Sequence, residues 1–232
     1  MNAIITGSSK GIGKAIASKF AEAGYNLCLC ARNKEELENT AHDLSESFNT
    51  IKVSVMPADL SIKKDAIDFA TWCLAQGSPD ILINNAGTYL PGNTIDEPDG
   101  NLELLIQTNL YSAYHVTRTL LPAMKEKRSG HIFNLCSIAS LRAYPGGGSY
   151  SISKFALNGF SQNLRHELMQ YKIKVTAVFP GAVLTDSWKN FDNSNGRIME
   201  ATDIADMVYA TSQLTPQANV EEILIRPVLG DL

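Results

Sequence analysis

The chain has 232 residues, 44% hydrophobic and 19% charged, with a formal net charge of −4. That balance fills one large core and excludes a disordered or collagen-like chain. Charges of both signs are interspersed, so no basic stripe offers itself to a nucleic acid, and no apolar run is long enough to span a membrane.

Residues 2–6 (NAIIT) read as a first strand, and a glycine-rich loop follows at once. No basic region, apolar run and cleavage site precede it, so a cytoplasmic protein is expected. Further short runs rich in Ile, Val, Leu and Cys lie at 26–30, 51–56, 80–83, 131–136, 173–179 and 221–226. They have the character of strands buried on both faces. Helical patterns separate them at 11–23, 34–48, 62–76, about 98–128 with a break, 149–170 and 202–213. Strict alternation of this kind predicts a Rossmann-like, doubly wound parallel sheet in a three-layer α/β/α single domain over 1–232. The least regular stretch, 181–200, holds Gly181, Asn190, Asn193, Asn195 and Gly196 and follows a strand end, where such folds bind ligands. The cysteines, Cys28, Cys30, Cys73 and Cys136, form no CxxC pair, and the histidines are scattered, so no metal site and a reducing compartment are expected.

The loop at 6–13 reads TGSSKGIG between a strand and a helix. Gly7, Gly11 and Gly13 permit a tight turn and close approach of backbone to a phosphate, and the helix behind offers free N–H groups and a positive dipole end. Four more motifs follow in order: Asn84-Asn85-Ala86-Gly87 after the fourth strand; Asn109 in the long helix; Ser137, thirteen residues before Tyr150 in a YxxxK pattern completed by Lys154; and Pro180-Gly181 with Thr185 after the sixth strand. Spread along the chain, these motifs resemble those of the short-chain dehydrogenase/reductase family.

After the second strand, dinucleotide folds place a side chain at the adenosine ribose, where an acid binds the 2′-hydroxyl of NAD and repels a 2′-phosphate. Here Ala31 is followed by Arg32 and Asn33. Arg32 can offer a charge-assisted fork to a phosphate, and Lys10 in the glycine loop adds a second charge. In the family this Lys/Arg pair is the NADP(H) pattern, so the resemblance implies NADP(H). It also implies a nucleotide-binding set of Gly7, Ser9, Lys10, Gly11, Ile12, Gly13, Arg32, Asn33, Asp59, Leu60, Asn85, Ala86, Gly87, Pro180, Gly181, Val183 and Thr185, together with Tyr150 and Lys154. Asp59 and Leu60 are expected against the adenine, and Thr185 with the backbone near Gly181 at the nicotinamide carboxamide.

Tyr150 and Lys154, four residues apart, share one helix face. An ammonium beside a phenol stabilises phenolate, so Lys154 is expected to pull the tyrosine from about 10 toward neutrality. By resemblance, Tyr150 exchanges the proton, Ser137 hydrogen-bonds the substrate oxygen, Lys154 lowers the tyrosine pKa and binds ribose hydroxyls, and Asn109 holds a water linking Lys154 to solvent. The implied activity is metal-independent reduction of a carbonyl, or oxidation of an alcohol.

Candidate substrate-pocket residues are Tyr89, Leu141, Tyr144, Trp188, Phe191 and Met199; if they line a pocket they suit a small planar or apolar carbonyl compound. The stretch after Thr185 is short, and the tail EEILIRPVLGDL lacks the DGG turn of ketoacyl-carrier-protein reductases. Those features, with PGAV, EEI and RP…GD, are similar to sepiapterin-reductase-like members. A 3-oxoacyl-carrier-protein reductase and a catalytically silent nucleotide-binding regulator remain the alternatives. Family members commonly form dimers or tetramers through the long helices, so a homodimer or homotetramer is expected.

Overall fold

The apolar runs form seven strands of one parallel sheet in the computed structural model, which describes residues 1–188 and 191–231. The strands are β1 (Asn2–Thr6), β2 (Asn26–Cys30), β3 (Val53–Val55), β4 (Ile81–Asn84), β5 (Gly130–Leu135), β6 (Ile173–Pro180) and β7 (Glu222–Ile225). Between them run α1 (Gly11–Glu22), α2 (Lys34–Ser47), α3 (Lys63–Gln76), α4 (Asn101–Ile106), α5 (Ser112–Lys127), α6 (Gly148–Leu168) and α7 (Ala201–Ser212). The order across the sheet is β3-β2-β1-β4-β5-β6-β7. The chain builds outward from β1 to β3, then returns to start the other half at β4, so the strand order reverses between β1 and β4. Such a switch point opens a crevice at the carboxyl ends of the strands.

Side chains alternate across each strand, so every strand feeds two cores. In β1, Ala3 and Ile5 pack with α1, α2 and α7 through Phe20, Leu37 and Val208. Ile4 points to the opposite face and packs with α3, α5 and α6 through Phe69, Leu120 and Leu164. Its register partners, Cys28 in β2 and Leu82 in β4, belong to the same cluster. This double burial is why the strands read as continuous apolar runs, and it delivers the three-layer arrangement expected from the alternation. All four cysteines are buried and unpaired.

One strand departs from the expected pattern, and the long helix breaks where a break was expected. The run 51–56 shortens to Val53–Val55, because this strand lies at the sheet edge, pairs only with β2 and is half-buried. The long helix at 98–128 splits into α4, a π turn at Gln107–Tyr111 and α5. The widened turn lies over Asn109, which is fully buried. Asn190, in the irregular stretch, lies outside the described residues. Among the described residues no helix is long and apolar enough to cross a membrane.

Candidate active site

The turn from β1 into α1 forms one wall of a cleft of about 410 Å³. Gly7 and Gly11 adopt φ of +64° and +54°, a region L side chains rarely enter. A Cβ on Gly13 would lie 2.1 Å from the carbonyl oxygen of Gly7. The loop is pinned from the next strand: Asn85 Nδ2 donates to the carbonyls of Thr6 (3.0 Å) and Gly7 (2.8 Å), and Thr6 Oγ1 accepts from the N–H groups of Asn85 and Ala86. Lys10, the N-cap of α1, makes no side-chain cap, so the first N–H groups of α1 remain available to an anion. A cradle of this shape and polarity fits a dinucleotide phosphate.

Fourteen of the expected nucleotide residues line this cleft. Gly7, Ser9, Lys10, Gly11, Ile12 and Gly13 come from the glycine loop; Arg32 and Asn33 from the end of β2; Asp59 and Leu60 from beyond β3; Asn85, Ala86 and Gly87 from beyond β4; and Thr185 from beyond β6. Several of their polar side chains are already engaged. Asn33 caps α2 by accepting from the N–H of Glu36 at 3.1 Å. Asp59 accepts from the N–H and hydroxyl of Ser61, so its carboxylate turns back into its own loop instead of standing free at a base. Lys10 pairs with Asp186 and lies 3.8 Å from Glu36. Neither acid was expected from the sequence, since each meets Lys10 only through the fold.

Pro180, Gly181 and Val183 do not line the cleft. Gly181 N–H continues the sheet by donating to Ile225 O at 2.8 Å, and Val183 is buried in a bridge with Met199. Met199 packs against the core beside α1 and α7, not into an open pocket.

The second cluster is built by β5 and α6. Ser137 follows β5, and its hydroxyl oxygen accepts from Ala139 N–H at 3.1 Å, which leaves its proton free to turn toward the neighbouring Tyr150 hydroxyl. Lys154, one turn along α6 from Tyr150, is 6% exposed and donates to Leu135 O at 2.8 Å. Its ammonium lies 5.9 Å from the centre of the Tyr150 ring. Burial pushes Tyr150 up to about 12, against a smaller opposing pull from Ser137, and pushes Lys154 down to about 8. The expected fall of the tyrosine toward neutrality is therefore not produced by Lys154 in this structure. The ammonium is tied to the β5 backbone, and burial is the main influence on the phenol.

Asn109 reaches this cluster from the π turn. Its Oδ1 accepts from Thr88 N–H (2.7 Å), while Nδ2 donates to Thr88 O (3.0 Å) and Ser153 Oγ (2.9 Å). Ser153 in turn donates to Tyr150 O at 2.7 Å. The Asn109 amide is thus a clamp between the strand-end loop and α6, and Ser153 is its partner inside YSISK. The expected water link would have to share a side chain whose donors and acceptor are already engaged.

The expected substrate residues divide. Tyr89 packs edge to face on Tyr150 with centroids 4.9 Å apart and lies near Tyr144, whose phenol is pushed upward by burial and by Tyr89. These two rings border the Tyr150 side of the site, and Leu141 is exposed. Trp188 and Phe191 instead pack edge to face on each other at 5.5 Å. Two carbonyl-rich stretches are fastened nearby: Arg197 donates to the carbonyls of Gly230 and Asp231, and Asp231 also binds Arg142 and Arg226. Among the described residues no group of three or more His, Cys, Asp or Glu side chains is arranged to hold a metal ion.

Comparison with known proteins gives consistent results. The sequence profile described as short chain dehydrogenase matches residues 1–196. An uncharacterized oxidoreductase of Staphylococcus aureus strain USA300 is 34% identical over 230 residues, covering 97% of this chain and 96% of its own. A metagenomic short-chain oxidoreductase solved in complex with NADP superposes with a TM-score of 0.86 at 32% identity, over 98% of this chain and 97% of the other. An alcohol dehydrogenase from the archaeon Thermococcus sibiricus, complexed with 5-hydroxy-NADP, gives 0.90 at 27% identity, over 98% and 96%.

Proposed function

The chain belongs to the short-chain dehydrogenase family and is an oxidoreductase of that family; on that premise we propose that residues 1–232 form one catalytic domain that uses NADP(H) to interconvert a small carbonyl compound and its alcohol. One observation carries the reading: Tyr150, Ser137 and Lys154 converge beside a glycine-walled cleft that contains Lys10 and Arg32 and no acid at Ala31. NADP bound in one relative and a modified NADP in another support the choice of nucleotide.

NADP(H), when bound, supplies or accepts the hydride. The protein's own residues then have to manage a proton and a developing oxyanion. Tyr150, with a phenol that stays protonated through neutral pH, is the group that gives its proton to the carbonyl oxygen during reduction. Ser137, beside Tyr150, turns its free hydroxyl proton toward that oxygen and holds it near the acid. Lys154, anchored on Leu135 O, keeps a positive charge or a donor beneath the tyrosine and toward the ribose hydroxyls. Asn109 and Ser153 fix the turn of α6 that carries both.

The Tyr89, Tyr144 and Leu141 surface favours a small free compound with a flat or apolar body, pterin-like compounds included. Lys127 pairs with Asp80, Arg128 donates to Gln170 O, and Lys174 donates to Leu214 O. These charges are spent within the chain, which disfavours docking of an acidic carrier protein. The test is kcat/KM with NADPH and NADH for sepiapterin, small aromatic diketones, short sugars and an acetoacetyl-carrier substrate, with and without chelator. Turnover of a free carbonyl with NADPH, unaffected by chelator, is expected. Preference for the acetoacetyl substrate would replace the substrate class, and no turnover of any compound would favour a silent nucleotide-binding regulator.

A further inference from the structure

Lys10 lies between two carboxylates. Glu36 stands in the first turn of α2, where Asn33 holds its backbone N–H. From there its side chain reaches back to the glycine loop, accepting from Ser9 Oγ at 3.3 Å and lying 3.8 Å from Lys10 Nζ. Asp186 comes from the opposite wall, one residue after Thr185, and pairs directly with Lys10. Its hydrogen bond is the main reason the Lys10 ammonium is held above its usual range. Both acids line the same cleft as Arg32, which makes no ion pair among the described residues. Two cations and three carboxylates, counting Asp59, therefore face any nucleotide that enters.

We propose that Glu36 and Asp186 are specificity-determining residues: they compete with a ribose 2′-phosphate for Lys10, so that Arg32 is the principal phosphate partner and the discrimination against NAD(H) is weaker than the Lys10/Arg32 pair implies. This rests on the reading of the cleft as an NADP(H) site. A dianionic phosphate must share the Lys10 ammonium with these carboxylates, and each carboxylate left nearby repels it. The side chains are 55% (Lys10), 42% (Glu36) and 65% (Asp186) exposed, so solvent screens each pair and the competition is modest. A nucleotide with a 2′-hydroxyl brings no phosphate to compete for Lys10 there, so both acids affect it less. The same pair also joins the glycine loop to the segment after β6: a Cβ on Gly11 would lie 3.2 Å from the Thr185 methyl group.

The test is calorimetric titration of the full chain with 2′,5′-ADP and 5′-ADP, probes that carry the adenosine end without the nicotinamide. Glu36→Gln, which keeps an acceptor for Ser9, and Asp186→Asn are each expected to raise 2′,5′-ADP affinity about two- to fivefold, the range of exposed ion pairs. Affinity for 5′-ADP should move by less than about twofold. In a Lys10→Ala background the gain should largely vanish, because nothing remains to compete for. A parent that prefers 2′,5′-ADP by a margin neither variant alters overturns the proposal alone. So does a gain of equal size without Lys10, which would mean plain through-space repulsion. A parent with no preference, in which the carboxylate variants also create none, overturns the NADP(H) reading itself. A preference that appears only in the variants supports the competition.

Discussion

His131 links the sheet to pH in a way that can be measured. It is 2% exposed near the start of β5, at the sheet end opposite the cleft, with its ring stacked on Phe133 at 3.9 Å. Its Nε2 lies 2.7 Å from Thr176 Oγ1, and that hydroxyl donates its one proton to Val220 O at 2.6 Å. Thr176 must therefore accept, so Nε2 carries the hydrogen and the ring is the neutral Nε2–H tautomer. Its other nitrogen, Nδ1, has no partner among the described residues. Burial, with a smaller push from Lys174, the register partner on β6, drives the imidazole down to about 3 from 6.5. The unfolded chain then binds the extra proton first. The stability this group contributes is complete above pH 6.5 and is lost as pH falls toward 3. At about 1.4 kcal/mol per tenfold change in proton affinity, the loss is about 2 kcal/mol by pH 5 and roughly 4–5 kcal/mol at the limit. His131→Gln keeps an amide donor for Thr176 and cannot titrate. It should cost about 1 kcal/mol at pH 7.5 from lost packing on Phe133. Urea unfolding at pH 7.5, 6 and 5 should show that deficit shrinking and then reversing. A variant-to-parent difference that stays constant across this range refutes the assignment of a buried neutral imidazole.

Tyr150→Phe should bind NADPH within a few fold of the parent and lose about 10²–10⁴ in kcat, since the ring still packs on Tyr89 and only the proton is gone; stopped-flow turnover beside a fluorescence titration separates the two. With the phenol near 12, alcohol oxidation, which needs the phenolate, should climb with pH through 7–10, while carbonyl reduction, which needs the phenol, stays flat. A plateau in oxidation kcat/KM below pH 8 would mean that another group takes the proton or that the tyrosine is depressed during turnover. Gly13→Ala should abolish nucleotide binding or folding, because its Cβ would lie 2.1 Å from a backbone oxygen; a variant that binds NADPH normally in calorimetry contradicts the geometry of the loop.

What was legible in the sequence was whatever a local pattern dictates. β1 and β2 fall at the residues their apolar runs mark, because both faces of those strands are buried and no partner is needed to recognise them. The glycine loop was equally plain, since positive φ at Gly7 and Gly11 leaves little choice of residue. A break in the 98–128 helix was legible, but its form as a π turn was not, because the extra residue shows only in hydrogen bonding. Nor was the commitment of Lys10 to Asp186 and Glu36, which lie far apart in sequence and meet only when β1, β2 and β6 align. The mutual packing of the aromatics after Thr185 was hidden for a related reason. Composition marks Trp188 and Phe191 as suited to stack on a ring, and folding gives each the other as its partner.

The centre of the sheet explains how the helix that carries Tyr150 and Lys154 can be held without being strapped by loops. Asn84 on β4 donates to Thr117 Oγ1 on α5 (2.9 Å) and to Asn134 Oδ1 on β5 (2.8 Å). Asn134 donates on to Ser161 Oγ on α6 at 2.8 Å, and Ser161 closes the chain on Leu157 O. All four side chains are buried. Apolar residues of similar size would fill that space at least as favourably, but they would not distinguish one rotation of α6 from another. The polar chain does, since a slip of α6 against β5 would strand buried donors at about 1–3 kcal/mol each. Lys154 on Leu135 O and Asn109 on Ser153 add two more fixed points on the same helix, nearer its N-terminal end. Tyr150 lies between these points and Ser137. The helix turn that carries it is therefore positioned by contacts made on other elements.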